Sequence, residues 1–196
     1  MIKDFFRQTL TGLKALLVLT VLLGIAYPAA VWAVSQVAFH DQANGQIVED
    51  KGSKLIGQNF AVKGDTWFHS RPSANDYDAL ASGPSNLGPS NPDLLAAIKK
   101  RQQNIASVDG VAVDDIPADA VTSSGSGLDP YISPAYASLQ VDRVARARGM
   151  SVEAVRRAVA DNTHGRQLGF LGQPRVNVFG LNLALESATK GASGAD

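Results

Sequence analysis

The sequence predicts an α+β domain, of mixed α/β character, held outside the cytoplasm behind one N-terminal transmembrane helix. Three observations carry that prediction: a long uncharged apolar run near the start, an uneven charge distribution on its two sides, and helix-capping signals interleaved with short apolar segments beyond it.

Twenty consecutive residues, Ala15 to Val34, carry no charge, and all but Thr20, Gly24 and Pro28 are apolar. As a helix they would extend about 30 Å, the thickness of the hydrocarbon core of a bilayer. The uncharged stretch continues to Phe39, which sets the expected span at 15–39 and leaves room for tilt. Tyr27, Trp32 and Phe39 lie in its second half, where aromatic rings settle at the headgroup level. Pro28 removes a backbone donor and predicts a kink, which membrane helices tolerate. A cleaved signal peptide would have a shorter apolar region ending at a small-x-small site, whereas Ala30-Val31-Trp32-Ala33 ends this run on bulky residues.

The whole chain of 196 residues has 18 basic and 18 acidic side chains, a formal net charge of zero that argues against nucleic acid as a partner. Before the apolar run stand Lys3, Arg7 and Lys14 against only Asp4, whereas the first charges after it are Asp41, Glu49 and Asp50. Positive flanks stay in the cytoplasm, so residues 1–14 form a cytoplasmic stub and residues 40–196 lie outside. That outer portion keeps 15 basic and 17 acidic residues, a net of −2. With no cysteine in the chain, disulfides, thiolate metal sites and cysteine nucleophiles are excluded together.

Residues 40–188 suffice for one domain with a core of its own. Ile47-Val48 and Leu55-Ile56 read as short strands joined through Asp50-Lys51-Gly52, and Thr66-Trp67-Phe68 as a third. Asn91-Pro92-Asp93 opens a helix with an N-cap, a first-turn proline and an acid, followed by Leu94, Leu95, Ile98 and Ile105. Ser133-Pro134 opens a second, with Ala137, Val141 and Val144 on one face and Gly149 at its end. Ser151 caps a third, through Val152, Val155 and Val159 to Asn162. Leu168 to Gly172 and Val176 to Phe179 read as short strands or tight connections, Leu181 to Leu185 as a short turn or helix, and residues 189–196 as a flexible tail.

Two polar loops stand out. Ser82 to Pro92 contains ten Ser, Gly, Pro or Asn residues in eleven, with a repeated Gly-Pro-Ser-Asn and three prolines that stiffen it. Thr122 to Pro130 is the second. Such loops satisfy their own backbone as a rule, and their hydroxyls and carbonyls also suit a protein partner or a hydrated ion. Candidate docking residues are Ser70, Arg71, Ser73, Ser85, Asn86, Ser90, Asn91, Thr122, Ser123, Ser124, Ser126, Asp129, Arg175 and Asn177.

Catalytic signatures are lacking. There is no phosphate-binding Gly-x-x-x-x-Gly-Lys-Ser/Thr loop, and Gly125-Ser126-Gly127 lacks the third glycine of a dinucleotide fingerprint. His40, His69 and His164 show no zinc-ligand spacing, so no metal site is expected. An anchored serine hydrolase would have to assemble Ser124 or Ser126, His69 or His164, and Asp129 by folding. A stand-alone binding domain is the other alternative. Late in the chain Arg143, Arg146, Arg148, Arg156, Arg157, Arg166 and Arg175 face only Asp142, Glu153 and Asp161, which reads as the solvated face of two helices or as a surface for acidic loops or lipid headgroups.

Taken in order, Gly52 to Gln58, Ser70-Arg71-Pro72-Ser73-Ala74, Ser85 to Pro92, Thr122 to Pro130 with Ile132-Ser133-Pro134, and Arg175-Val176-Asn177-Val178 with Leu181-Asn182 resemble the C subunit of the Kdp-type potassium-transporting ATPase. Small departures are Pro84, where another small residue is more usual, and Trp67-Phe68 in place of a Tyr-Phe pair. The resemblance implies a single-pass protein of the bacterial inner membrane in an ATP-driven potassium importer. Its partners would be a channel-like potassium-binding subunit, a P-type ATPase subunit and a small stabilising subunit. The family's C subunit is described as a catalytic chaperone that raises the ATP affinity of the ATPase subunit, so ATP is implied only through that subunit. This chain has neither a Thr-Val-Gly-Tyr-Gly filter nor an aspartyl-phosphate motif, and is expected to be a non-catalytic accessory subunit.

Overall fold

The computed structural model describes residues 1–48 and 50–193, with side chains described to Thr189. The chain divides into two units, Met1–Ile47 and Val48–Asp196.

The first unit is helical almost throughout. Helix α1 (Ile2–Val21) passes through a π-helical turn (Leu22–Ala26) into α2 (Tyr27–Ala38). Helicity thus begins well before the uncharged run and includes the basic residues of the stub. Together these residues form one helix, Ile2–Ala38, long and apolar enough to cross a membrane, with none of its most apolar window buried by protein. The π turn sits just upstream of Pro28, where the Tyr27 N–H reaches back to the Leu22 carbonyl. A proline ring collides with the carbonyl four residues earlier, and one widened turn relieves that collision without breaking the helix. Phe39, at φ −140°, ends α2, and α3 (His40–Ala43) adds one further turn.

Strands β1 (Ile47–Val48) and β2 (Gly52–Ser53) form a two-stranded sheet. The second strand lies earlier than the Leu55-Ile56 pair expected from apolarity: Asp50 takes a left-handed φ of 59°, and the Lys51 N–H bonds the Val48 carbonyl at 3.1 Å, so the chain reverses within two residues.

In the second unit the three capped helices form where the sequence places them. Helix α4 (Pro92–Asp109) is capped by Asn91, whose side chain accepts from the Asp93 N–H at 2.8 Å, and ends at Gly110 with φ 69°. A one-turn helix, α5 (Ala118–Val121), precedes strand β3 (Tyr131–Ile132). Helix α6 (Pro134–Arg148) starts from Ser133, which accepts from the Tyr136 N–H at 3.0 Å, and α7 (Val152–Asp161) starts from Ser151. Strands β4 (Thr163–His164) and β5 (Arg175–Asn177) follow, and β5 is the centre of an antiparallel sheet in the order β3-β5-β4. Tyr131 faces Asn177, Ile132 faces Val176, and Val176 also faces Thr163.

Helix α8 (Val178–Ser193) is longer than expected. Val178 and Phe179, whose alternation with Val176 reads as strand, are its first turn, because the Asn177 side chain accepts from the Gly180 N–H at 2.8 Å and caps a helix there. Leu181 and Leu185 then fall one turn apart on its buried face. Residues 194–196 of the expected tail lie outside the described residues.

The core gathers α6, α7 and α8 on the small sheet, through Ile132, Val141, Val144, Val155, Val176, Leu181 and Leu185, each at most 2% exposed. Phe60 and Phe68 extend it, with the Trp67 ring stacked on Phe60 at 5.6 Å.

Thr66-Trp67-Phe68 joins no ladder. Thr66 and Trp67 lie in a turn, where the Trp67 N–H bonds the Gly64 carbonyl at 3.3 Å, and side chains take the carbonyls of Asp65 to His69 and the N–H groups of Phe68 and His69. Asn182 bonds both polar groups of Phe68, Gln140 does the same for His69, Arg143 takes the carbonyls of Asp65 and Trp67, and Arg148 that of Thr66. The amide of Asn or Gln can donate and accept side by side, as a peptide group does, so it can stand in for a neighbouring strand. Arg143 therefore departs from the solvated face expected for it: its side chain is 3% exposed and pairs with Asp109, 2% exposed, at 2.7 Å. Arg146, Arg156, Arg157 and Arg166 are exposed.

Candidate functional site

The two polar loops meet. The Gly57 N–H bonds the Leu128 carbonyl at 2.7 Å, the Gly83 N–H and Ser82 hydroxyl both bond the Ser126 carbonyl, and the Ser124 N–H bonds the Pro72 carbonyl at 3.0 Å. Residues 122–130 thus form a central tongue between the segments around Gly57, Pro72 and Gly83. Close approach is built in by glycine. A Cβ on Gly57 would lie 2.6 Å from the Asp129 carbonyl oxygen, and Gly127, at φ 70°, lies against the Asn75 side chain.

Arginine fixes the edges of the tongue. Arg101, on α4, donates to the Val121 carbonyl at 2.8 Å and to the Ser123 hydroxyl at 3.3 Å. Arg71 pairs with Asp129 at 3.2 Å, and the Asp129 carboxylate also accepts from the Tyr131 N–H. The Tyr77 hydroxyl donates to the Arg71 carbonyl, and burial pushes that phenol up to about 12, so it stays a donor at any ordinary pH.

Beside the tongue lies an open cleft of about 710 Å³ whose polar lining includes Arg71, Asp119, Asp129, Ser133, Gln173 and Arg175. Asp119 is committed: it accepts from both the N–H and the hydroxyl of Ser133, holding the start of α6. Arg175 lays its guanidinium over the Tyr131 ring at 4.6 Å. The buried Nε atoms of Arg71 and Arg175 have no hydrogen-bond partner among the described residues. A buried N–H without a partner is costly, and the two guanidinium groups that line one cleft suit carbonyl or carboxylate oxygens from outside the chain.

The candidate residues separate into three groups. Arg71, Asp129 and Arg175 converge on the cleft. Ser85, Asn86, Ser90 and Ser126 are exposed on the loops. The others serve the fold: Ser70 bonds the Gln58 carbonyl, Ser73 and Asn91 organise a turn and a cap, Thr122 bonds the Ala118 carbonyl, Ser123 receives Arg101, and Ser124 is 3% exposed. Asn177 caps α8 and also donates to the Lys54 carbonyl at 2.9 Å. Sequence reasoning missed Asp119, Gln140 and Asn182. The last two had a signal, since each is a lone amide on the apolar stripe of a helix.

For hydrolase chemistry the raw material is otherwise engaged. Ser126 Oγ accepts from the Leu128 N–H, and among the described residues no hydrogen bond joins Ser124, Ser126 or Asp129 to His69 or His164. Burial, aided by Arg143, pushes His69 down to about 4, so its ring is neutral at ordinary pH. For a nucleotide the cleft is a poor match, because two guanidinium groups there face two carboxylates. A triphosphate needs an excess of positive charge.

Comparison with known proteins gives a consistent result. The family model described as KdpC, K+-transporting ATPase, c chain, matches residues 9–187. A potassium-transporting ATPase KdpC subunit of Kineococcus radiotolerans is 52% identical over 191 residues, covering 94% of this chain and 96% of the relative. The KdpC subunit of Koribacter versatilis is 48% identical over 187 residues, 92% of this chain and 94% of the relative. That of Mycobacterium tuberculosis is 49% identical over 187 residues, 92% and 98% respectively.

Proposed function

Because the chain belongs to the KdpC family of potassium-transporting ATPase c chains, we propose that it is a non-catalytic accessory subunit of an ATP-driven potassium importer, anchored by its N-terminal helix in the bacterial inner membrane. Its second unit acts as an external brace, seated on the channel-like subunit near the potassium entrance. The P-type ATPase subunit and a small stabilising subunit complete the assembly.

The observation that carries the brace is the paired-loop face. The 122–130 loop is held to the start of the Ser82–Pro92 loop by the Gly83 N–H and to the segments around Gly57 and Pro72 by the N–H groups of Gly57 and Ser124, with the guanidinium groups of Arg71 and Arg175 in the cleft beside it. Such a surface arrives at a partner already ordered, so little conformational entropy is lost on docking.

The charge asymmetry around the helix favours an extracytoplasmic body. A body on that side does not touch cytoplasmic ATP. The chaperone effect described for the family is then a coupling free energy: docking outside favours a conformation of the channel and ATPase subunits in which the latter binds ATP more tightly.

Protease accessibility, or a reporter fusion, at Lys100 on the exposed side of α4 tests the orientation. The brace requires cleavage from outside. A cytoplasmic result removes the brace and returns direct nucleotide contact to consideration.

A further inference from the structure

Between β4 and β5 the chain forms a small hairpin that neither the core nor the loop face uses. Gln167 and Leu171 exchange both backbone hydrogen bonds at 2.9 Å, and Leu168 and Gly169 turn the chain with φ of 52° and 81°. The tip shows Leu168, Phe170 and Leu171 to solvent at 83%, 68% and 47% exposure. A leucine in a left-handed conformation is strained, and one that also buries nothing gives no return in stability.

Along the chain the charge around the tip has one sign, while Arg175 at its far end also lines the cleft with Asp119 and Asp129. Between Asp161 and Glu186 there is no acidic residue, and Arg166 and Arg175 are the only arginines or lysines. Residues 164–174 are exposed throughout. Three apolar side chains on a convex turn, flanked by arginine, match the boundary between acyl chains and anionic headgroups. A protein site for such a tip would have to supply both a pocket and acidic groups. A bilayer offers both features along its whole surface, and the chain carries a helix long and apolar enough to cross one.

We propose that the 167–171 hairpin is a second membrane contact, which inserts Leu168, Phe170 and Leu171 into an anionic phospholipid interface. The inference rests on the apolar helix lying in a bilayer. It is independent of the side on which the body lies, and Leu168, Phe170 and Leu171 are not residues of the loop face.

The chain has no cysteine, so Phe170→Cys creates a single labelling site without removing any other residue. The side chain at 170 is exposed, and the substitution leaves the core intact. The full-length chain would carry a polarity-sensitive fluorophore there, in nanodiscs of phosphatidylglycerol and phosphatidylcholine. The expected result is blue-shifted emission, quenched by lipids with a shallow doxyl group, with the same behaviour at Leu168→Cys and neither effect at Ser107→Cys on α4. Adding Arg166→Gln, or using phosphatidylcholine alone, should weaken the quenching. A label at both 168 and 170 that reports water in these nanodiscs overturns the proposal. So does a label that becomes buried, yet unquenched by doxyl lipid, only when the other subunits are present, which would assign the tip to a protein pocket.

Discussion

Asn182 and Phe68, separated by 114 residues of sequence, are joined by two buried hydrogen bonds: the Phe68 N–H donates to Asn182 Oδ1 at 2.8 Å, and Asn182 Nδ2 donates to the Phe68 carbonyl at 3.0 Å. Neither side chain is exposed. One amide on α8 therefore does for residue 68 what a neighbouring strand does in a sheet, and it fixes the segment that leads into Arg71 and the loop face.

Replacing Asn182 by Leu keeps the volume and removes both bonds. It leaves the Phe68 N–H and carbonyl buried without partners, at a cost of about 3 kcal/mol. Chemical denaturation of the full chain in mild detergent should show that loss, accompanied by faster proteolysis near Phe68. Unchanged stability would mean that the segment finds other partners.

His69 makes stability depend on pH with a defined sign. Its folded-state value is pushed down to about 4 from an ordinary 6.5, so between those limits the unfolded chain binds the proton and the folded chain does not. Its contribution is complete above pH 6.5 and is lost as pH falls through 4, by up to about 3 kcal/mol. Asp109 acts in the opposite sense: burial raises its carboxyl against the pull of Arg143, and that contribution fades as pH rises. Comparing the chain with His69→Gln isolates the histidine. The variant should lack the acid-side loss, and equal slopes in the two proteins would rule the histidine out as its source.

Gly57 and Gly125 provide a paired test of the knitted loops. A methyl group on Gly57 meets the Asp129 carbonyl oxygen at 2.6 Å, whereas one on Gly125 meets nothing within 4 Å. Gly57→Ala should cost about 1–3 kcal/mol and loosen the Arg71–Asp129 pair, and Gly125→Ala should be close to neutral. Thermal unfolding of the two variants distinguishes them, and equal effects would contradict the close approach.

The capped helices were legible because their signals are local: Asn91-Pro92-Asp93, Ser133-Pro134 and Ser151 each organise their own first turn. The apolar helix was legible for the same reason, though its extension back to Ile2 was not, since charges near a membrane helix do not stop helicity. What escaped the sequence depends on distant partners. Thr66 to Phe68 looks like strand, but Thr66 and Trp67 form a turn and the segment's bonds to distant groups come from Arg143, Arg148 and Asn182. Arg143 looks solvated until Asp109 is placed beside it. Of the candidate site, Arg71, Asp129 and Arg175 do converge, whereas Ser70, Ser124 and Asn177 stand out in the sequence and are buried in the structure for the sake of the backbone. Composition marks a polar loop but does not tell which of its hydroxyls face inward.

Work as one subunit of a potassium importer, held there through the face that Arg71 and Arg175 border, requires that partners be lost with that face. The most direct measurement is purification of the tagged full chain in mild detergent, with and without Arg71→Met and Arg175→Met. The unaltered chain should bring down two larger membrane proteins with potassium-stimulated ATP hydrolysis, and the double variant, folded to the same melting temperature, should lose them. A stable monomer without partners, or a double variant that assembles as well as the parent, would contradict that role.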